Sequence, residues 1–346
     1  VILIIAGPGD AHSEIVARRL REKGAACSIF DLREVPAASV TSAWVDGSRP
    51  LRARLRRDSG EPRELDLGAV ETVWFRRPAL PLASPTLEPE DREFAQEESL
   101  ALLLGLATAL RGRFWVNPVV AALATDRGLG KLGQLDLARE HGLAIPRTLA
   151  TNDPDAAREF VRSCPEGAIY KPFKTPTRTH EAGERREVQA VFTNRVDASA
   201  LEDVDQVRHA PCIFQELVPK SVELRVVVLG SKVFACEIHS QEDERSRVDF
   251  RRDAAAARHL PHELPEAIAK KLVALNHALG LVFGAVDLIL TPAGEYVFLE
   301  NNQQGQFLWL EELAGLPLLE SFCEMLIQAS PDFACDARNH APGLPR

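Results

Sequence analysis

Three side chains near the C-terminal end, Asp287, Glu300 and Asn302, are of the types that hold a hard divalent cation. They lie in "VFGAVDLIL" and "EYVFLENN", two apolar runs separated by "TPAG", which together read as a β-hairpin. With Pro292 and Ala293 at the centre of the turn, Glu300 lies opposite Ala285 and Asp287 is diagonal to it on the same face. Asn302 shares that face by the period of two, and Asn301 points the other way. Strands this apolar seldom carry acids on a core face without a partner. A magnesium ion would satisfy them, and so would an arginine at the sheet end. On the residues alone the two readings stand level.

Further residues with chemistry to offer lie upstream. Lys131 sits in a helical segment just after a polar turn, and Lys171 interrupts the apolar strand "IYKPF", where a lysine either snorkels to an edge or faces an anion. With 8 Lys against 33 Arg in the chain, each lysine in such a place carries weight. "FQELV" puts Glu216 in a strand, followed by Leu217 and Val218, whose backbone suits an adenine edge. "SVELRVVV" puts Glu223 and Arg225 on one strand face, a carboxylate for a ribose and a guanidinium for a phosphate. His239 ends the strand "ACEIHS". Each of these alone is more often an ion pair or a surface residue than a ligand.

The elements that must position these residues follow from pattern. "VILIIAG", "SEIVARRLREKG" and "ACSIFDL" read as strand, helix and strand, the opening of a parallel sheet with helical crossovers. The turn between the first two has Gly7 and Gly9 but no third glycine, a weak dinucleotide fingerprint. "ETVWFRRP" is a further strand, "EDREFAQEESLALLLGLATALRG" a long helix, and "FWVNP" closes a first α/β domain at residue 118. Downstream come a helix ended by Gly142, a strand and helix in "AIPRTLATNDPDAAREFV", and a polar segment from Lys174 to Arg186 expected to be a loop. A hairpin turns at Gly230-Ser231, and Leu308 to Gln328 reads as helix. The resulting expectation is an α/β chain, α+β in parts, divided as 1–118, 119–215 and 216–330 with a loose tail at 331–346.

Composition sets the outer bounds. A chain of 346 residues with 45% hydrophobic and 26% charged residues is that of a soluble globular protein of two or three domains. Its net charge of −9 argues against general nucleic-acid binding. Six scattered cysteines with no CxxC pair argue against a zinc site or a disulfide framework and for reduced, cytoplasmic thiols. No apolar run is long enough to span a bilayer, and "VILIIAGPGD" has neither the basic start nor the cleavage site of a signal peptide.

The order Lys131, Lys171, "QELV", "ELRVVV", then Asp287, Glu300 and Asn302 resembles the ATP-grasp ligases over residues 119 to 328. More narrowly, "WFRRP", "KLGQLDLAREHGLAIPRTLATNDP", "FACEIHSQ", "VDFRRD" and "FLENNQQGQFLWLE" resemble the microviridin-type peptide macrocyclases, the graspetide synthetases. One departure is the phosphate loop, glycine-rich in ATP-grasp enzymes but here "PFKTPTRTHEAGERREV", with Gly183 alone. The resemblance implies an N-terminal pre-ATP-grasp domain followed by central and C-terminal ATP-grasp domains that hold ATP between them. Lys131 and Lys171 would contact phosphates, Glu216 and Val218 adenine, and Glu223 ribose. Asp287, Glu300 and Asn302 would hold Mg²⁺. Aspartate or glutamate side chains of a precursor peptide, with a leader and an acidic, Thr-rich core, would be activated as acyl phosphates and joined to Thr or Ser hydroxyls or Lys amines. Arg225 and His239 would stabilise the acyl phosphate. Arg76, Arg77 and the loop residues Asp249, Phe250, Arg251 and Arg252 would hold the peptide. The resemblance leaves a homodimer open and involves no nucleic acid or membrane. Two alternatives are a ligase adding a free amino acid to a carboxylate and an ATP-binding regulatory module without turnover.

Overall fold

The opening run Ile2–Ala6 (β1) is buried along its whole length, as a parallel strand covered on both faces must be. In the structure, a computed structural model, residues 1–47, 49–57, 64–119, 130–173, 177–182, 185–190, 193–242 and 257–329 are described. After β1, Asp10 caps helix α1 (Ala11–Glu22) by accepting the Ser13 N–H at 2.8 Å. Strand β2 (Cys27–Phe30) returns parallel to β1. Three strands without an expectation from sequence follow: β3 (Ser39–Asp46), β4 (Arg49–Arg57) and β5 (Glu64–Asp66), an antiparallel sheet. Then β6 (Thr72–Arg76), helix α2 (Pro89–Ala109) and β7 (Phe114–Val116) complete a parallel sheet in the order β2-β1-β6-β7.

The middle of the chain builds a second sheet. Helix α3 (Gly130–Glu140), β8 (Thr148–Thr151), α4 (Pro154–Arg162) and β9 (Ala168–Lys171) come first. The polar segment expected to be a loop instead forms strands β10 (Thr177–Ala182) and β11 (Arg185–Ala190), paired from Thr177↔Ala190 to Ala182↔Arg185. Backbone pairing holds such a ribbon, and its polar sequence has no apolar alternation to announce it. Strand β12 (Asn194–Val196), the short helix α5 (Ala198–Glu202) and β13 (Cys212–Glu216) complete the antiparallel order β12-β9-β13-β8. Ala157 and Val161 of α4 pack on Ala168 and Phe214 of this sheet.

The third sheet runs β16-β15-β14-β17-β18. It comprises β14 (Val222–Leu229), β15 (Lys232–Ile238), β16 (His259–His262), then helix α6 (Glu266–Ala278), β17 (Phe283–Leu290) and β18 (Tyr296–Asn302). The segment expected as one helix from Leu308 is two, α7 (Trp309–Ala314) and α8 (Leu318–Gln328), broken where Gly315 turns left-handed and Pro317 follows. One face of the sheet, through Leu224, Val226, Leu288 and Phe298, packs on Leu135 and Ala138 of α3 and on Leu272 and Leu275 of α6. The other face is divided. Val227, Leu229, Phe283 and Ala285 join Ile4, Leu20, Trp74 and Phe322 in a core shared with the first sheet. Burial of each large apolar side chain there contributes roughly 1.5–3 kcal/mol. Further along the same face stand the polar side chains Glu223, Arg225, Asp287 and Glu300.

Among the described residues no helix is long and apolar enough to cross a membrane. Cys164, Cys212, Cys236 and Cys323 are free and buried, and burial pushes the Cys236 thiol up to about 11 and that of Cys323 to about 12. None of these four is poised as a nucleophile.

Candidate active site

The β17–β18 hairpin carries the acids, but in a different register from the one expected. Its loop has three residues, Pro292 to Gly294, closed by the Gly294 N–H on the Thr291 carbonyl at 2.9 Å. Gly294 sits at φ 82°, a left-handed position that favours glycine. A second slip falls between Asp287 and Leu288, where Leu299 is the extra residue on β18. Asp287 therefore faces Glu300 directly, and Ala285 faces Asn302. The shared face of Asp287, Glu300 and Asn302 is kept, and the acids are closer than the expected diagonal pairing would bring them. On the next strand Arg225 faces Asp287, and its Nε lies 3.1 Å from Asp287 Oδ1.

At the start of α3, which packs on the third sheet, Lys131 places its Nζ 3.6 Å from Glu300 Oε2 and donates to the Pro172 carbonyl at 3.1 Å. Pro172 directly follows β9, so Lys131 spans the gap between the second and third sheets. The row thus reads Arg225, Asp287, Glu300, Lys131: two carboxylates side by side, flanked by two cations. Like charges directly opposite each other on a sheet repel, and a cation is needed to hold them there. Two carboxylates with the Asn302 carboxamide offer hard oxygen donors from one face, a set that fits magnesium. The arginine reading of the acids is met, since Arg225 pairs Asp287.

On the facing sheet Lys171 is buried, and its Nζ donates to Gln215 Oε1 at 2.9 Å. Gln215 Nε2 in turn donates to Thr148 Oγ1 at 2.8 Å. Lys171 is thus held in the sheet and does not snorkel to an edge. Glu216 accepts the Arg147 N–H at 3.0 Å through its side chain, fastening β13 to the residue before β8. Val218 lies in the link between the two sheets, half-buried. Glu223 is buried and accepts from Lys220 Nζ at 2.8 Å and Ser240 Oγ at 2.7 Å.

Two expected residues are placed elsewhere. His239 meets Glu237 Oε2 at 3.0 Å, and Glu237 projects from the opposite face of the sheet to Arg225, because Cys236 is the residue opposite Arg225. Alternation along β15 thus takes His239 away from the acid row. Arg76, at 1% exposure, donates to the carbonyls of Gln304 and Gly305, the latter at 3.1 Å, and lies near Asp10. Burial lowers its pKa to about 10, which leaves it charged at neutral pH. A guanidinium so enclosed fastens the turn after Asn302 and does not reach a peptide. Arg77 is exposed and donates to the Gln304 carbonyl at 3.0 Å. Asp249, Phe250, Arg251 and Arg252 lie outside the described residues.

Several residues that fix the site have no local sequence signal. Asn117 accepts the Val282 and Phe283 N–H groups at 2.8 Å each and donates to the carbonyls of Phe283 and Gln303 at 2.9 and 3.0 Å. Gln134, one turn after Lys131, accepts the Asn301 N–H at 2.9 Å, and Asn301 donates to Asn276. His12 Nε2 accepts the Phe307 and Leu308 N–H groups at 3.0 and 3.2 Å. Burial, and then the charge on Arg76, lower the pKa of His12 to about 4, so the ring is a neutral acceptor. A polar residue closing the apolar strand "FWVN" was the one available hint of Asn117.

Comparison with known proteins agrees with this geometry. Residues 1–122 match the family model of the MvdD pre-ATP grasp domain. The crystal structure of macrocyclase MdnB from Microcystis aeruginosa MRC is 33% identical, with a TM-score of 0.74 over 94% of this chain and 98% of that one. The RiPP-associated ATP-grasp ligase of Chryseobacterium gregarium, in complex with ADP and a leader and core peptide, is 26% identical, with a TM-score of 0.85 over 95% of this chain and 97% of that one. A curated relative, a probable alpha-L-glutamate ligase of Pseudoalteromonas translucida, is 27% identical over 192 residues, 55% of this chain and 60% of the relative. The chain thus spans less than two thirds of that ligase and nearly all of the two solved enzymes. The fold is that of the ATP-grasp enzymes, mixed α/β with several sheets.

Proposed function

The chain belongs to the microviridin-type ATP-grasp macrocyclases, the graspetide synthetases, and we propose that it closes rings in a ribosomally made precursor peptide at the expense of ATP. A side-chain carboxylate of the peptide attacks the γ-phosphorus as the bond to ADP breaks, giving an acyl phosphate. A Thr or Ser hydroxyl, or a Lys amine, of the same peptide then attacks the acyl carbon. Phosphate leaves with the bonding electrons, the nucleophile loses its proton, and a lactone or lactam remains. Carboxylate is a poor acyl donor and phosphate a good leaving group, while the tethered nucleophile acts at high effective concentration.

Asp287, Glu300 and Asn302 would hold magnesium, which when bound supplies neutralising charge to phosphate oxygens. Lys131, beside Glu300 at the start of α3, reaches the same oxygens, and Lys171, oriented by Gln215, contacts phosphate beside it. Glu223 takes the ribose, with Lys220 and Ser240 fixing its carboxylate. The segment Glu216 to Val218 lies along the adenine. Arg225, anchored on Asp287, meets the charge that develops on the activated carboxylate. Arg77, together with Arg251 and Arg252, gathers the acidic peptide by bidentate contacts, and Phe250 anchors an apolar residue.

The observation that carries this reading is the row Arg225, Asp287, Glu300 with Lys131 of α3 closing it. Its test is Glu300→Ala. The folded variant is expected to lose peptide-dependent ADP formation, and near-normal turnover would overturn the assignment.

A further inference from the structure

The first sheet has a face that the third sheet does not cover. Ile4 and Trp74 turn to the core shared with the third sheet, whereas Leu3, Ile5 and Phe75 turn the other way, towards Leu103 and Leu106 of α2. On that side lies a cavity of about 300 Å³, floored by Ile5, Phe30 and Phe75 and walled by Leu103 and Leu104 of α2. It reaches the surface, because two of its lining residues, Leu80 and Leu104, are 65% and 46% exposed.

Topology sets where this cavity opens. The chain runs from β1 to β2 on one side and returns as β6 on the other, so the strand order reverses between β1 and β6. Open parallel sheets bind ligands outside the carboxyl ends of their strands at such a reversal. Ile5 and Phe75 stand near those ends, and Pro78, Ala79 and Leu80, which follow β6, line the cavity. Gln303 and Gln304 line it from the other side. They directly follow Asn302, whose Oδ1 accepts the Gln304 N–H at 3.0 Å. The cavity wall therefore runs into the end of the acid row.

Arg77 stands at this junction. It donates to the Gln304 carbonyl at 3.0 Å, and its neighbour Pro78 lines the cavity. Its side chain is exposed and has no acidic partner among the described residues. Its φ of 41° is left-handed, a costly conformation for a residue with a side chain and one that clusters at ligand sites. A cation beside an apolar cavity suits a ligand that carries a carboxylate next to a bulky apolar group. Size agrees, since a cavity of ~150 Å³ lined by Leu, Ile and Phe takes a benzene, and twice that volume takes a phenylalanine or leucine side chain with its backbone at the mouth.

We propose that this cavity receives an apolar side chain of the peptide substrate, two positions along an extended segment from an acid held by Arg77. Alternate residues of such a segment share a face about 6.8 Å apart, so one residue meets the cation while the other enters the cavity. This rests on the peptide-ligase reading above, and it makes the first domain the selector of which acid is presented.

The test uses the full chain and three fluorescein-labelled peptides, Gly-Thr-Glu-Thr-Phe-Thr-Gly and its counterparts with Ser for Phe or Gln for Glu. Anisotropy should show the Glu-Thr-Phe peptide bound about tenfold or more tightly than the Ser peptide, as burial of one large apolar side chain provides, and several-fold more tightly than the Gln peptide. Ala79→Phe, which fills the cavity, and Leu104→Arg, which charges its mouth, should bring the Phe peptide down to the Ser one. Arg77→Gln should remove the preference for Glu over Gln and keep that for Phe over Ser. Equal affinity for Phe and Ser peptides in the wild type, or an undiminished preference in both cavity variants with their thermal unfolding unchanged, would overturn the proposal. Equal binding of the Glu and Gln peptides would make the cavity a general apolar pocket and overturn it as well. Ring closure without a Phe preference would sink this proposal alone, whereas a Phe preference without ATP consumption on any acidic peptide would sink the peptide-ligase reading alone.

Discussion

Acidification should loosen the turn behind the acid row through one residue, His12. Free imidazole titrates at 6.5, whereas the buried ring of His12 titrates at about 4. Its folded pKa is depressed, so between these values the unfolded chain binds the extra proton and stability rises with pH. The contribution is complete above 6.5 and is lost as pH falls towards 4. The gap corresponds to ~3 kcal/mol in all, of which about 2.5 kcal/mol is lost between pH 7.5 and pH 4.5. Protonation strikes at the Nε2 lone pair that accepts the Phe307 and Leu308 N–H groups, so the start of α7 is released along with it. The control is His12→Leu, which orphans both donors at every pH at about 1–3 kcal/mol each. Urea unfolding of both proteins from pH 4.5 to 7.5, followed by tryptophan fluorescence, isolates the term, because other titrating groups cancel in the difference. Wild type should exceed the variant at pH 7.5 and lose most of that margin by pH 4.5. Parallel curves would refute the reasoning.

Two further perturbations follow from close contacts. Gly305→Ala would bring its Cβ to 2.4 Å from the Ala285 Cβ, an overpacking expected to cost about 1–3 kcal/mol and to shift Asn302; thermal unfolding should show the loss, and adding Ala285→Gly should restore part of it. Lys171→Met should weaken ATP binding by about 1.5–3 kcal/mol, the range for a hydrogen bond to a charged group, with Gln215→Leu showing a smaller loss; unchanged nucleotide affinity by calorimetry in both would make Lys171 a structural lysine.

What the sequence disclosed about the site was the part carried by local pattern. Alternation put Asp287, Glu300 and Asn302 on one hairpin face, and that face is observed. The register was not legible, because it depends on a three-residue loop and on one extra residue, Leu299, neither of which alters the apolar alternation that marks the strands. Lys171 was visible as a charge in an apolar strand, but Gln215, which orients it, looks like any polar residue near a strand end. His239 shows how a strand end misleads: proximity in sequence to the "ACEI" strand suggested the acid row, while the two-residue period sends it to the other face. Arg76, Asn117 and His12 act on the site across 166 to 295 residues of chain, and no periodicity reports contacts of that range. The fold was legible where buried strands read as unbroken apolar runs, as in β1, and illegible in the polar ribbon β10–β11 and the arginine-rich β4, where backbone pairing holds residues without an apolar pattern.

The most direct test is mass spectrometry of an acidic peptide containing Thr and Lys, after incubation with the chain, ATP and magnesium, with ADP counted in the same tube. The expected product is the peptide less one water for each ring, with one ADP formed per water lost and none formed when Glu300→Ala replaces the wild type. A peptide of unchanged mass, or one made heavier by an added free amino acid, would contradict ring closure as the reaction of this enzyme.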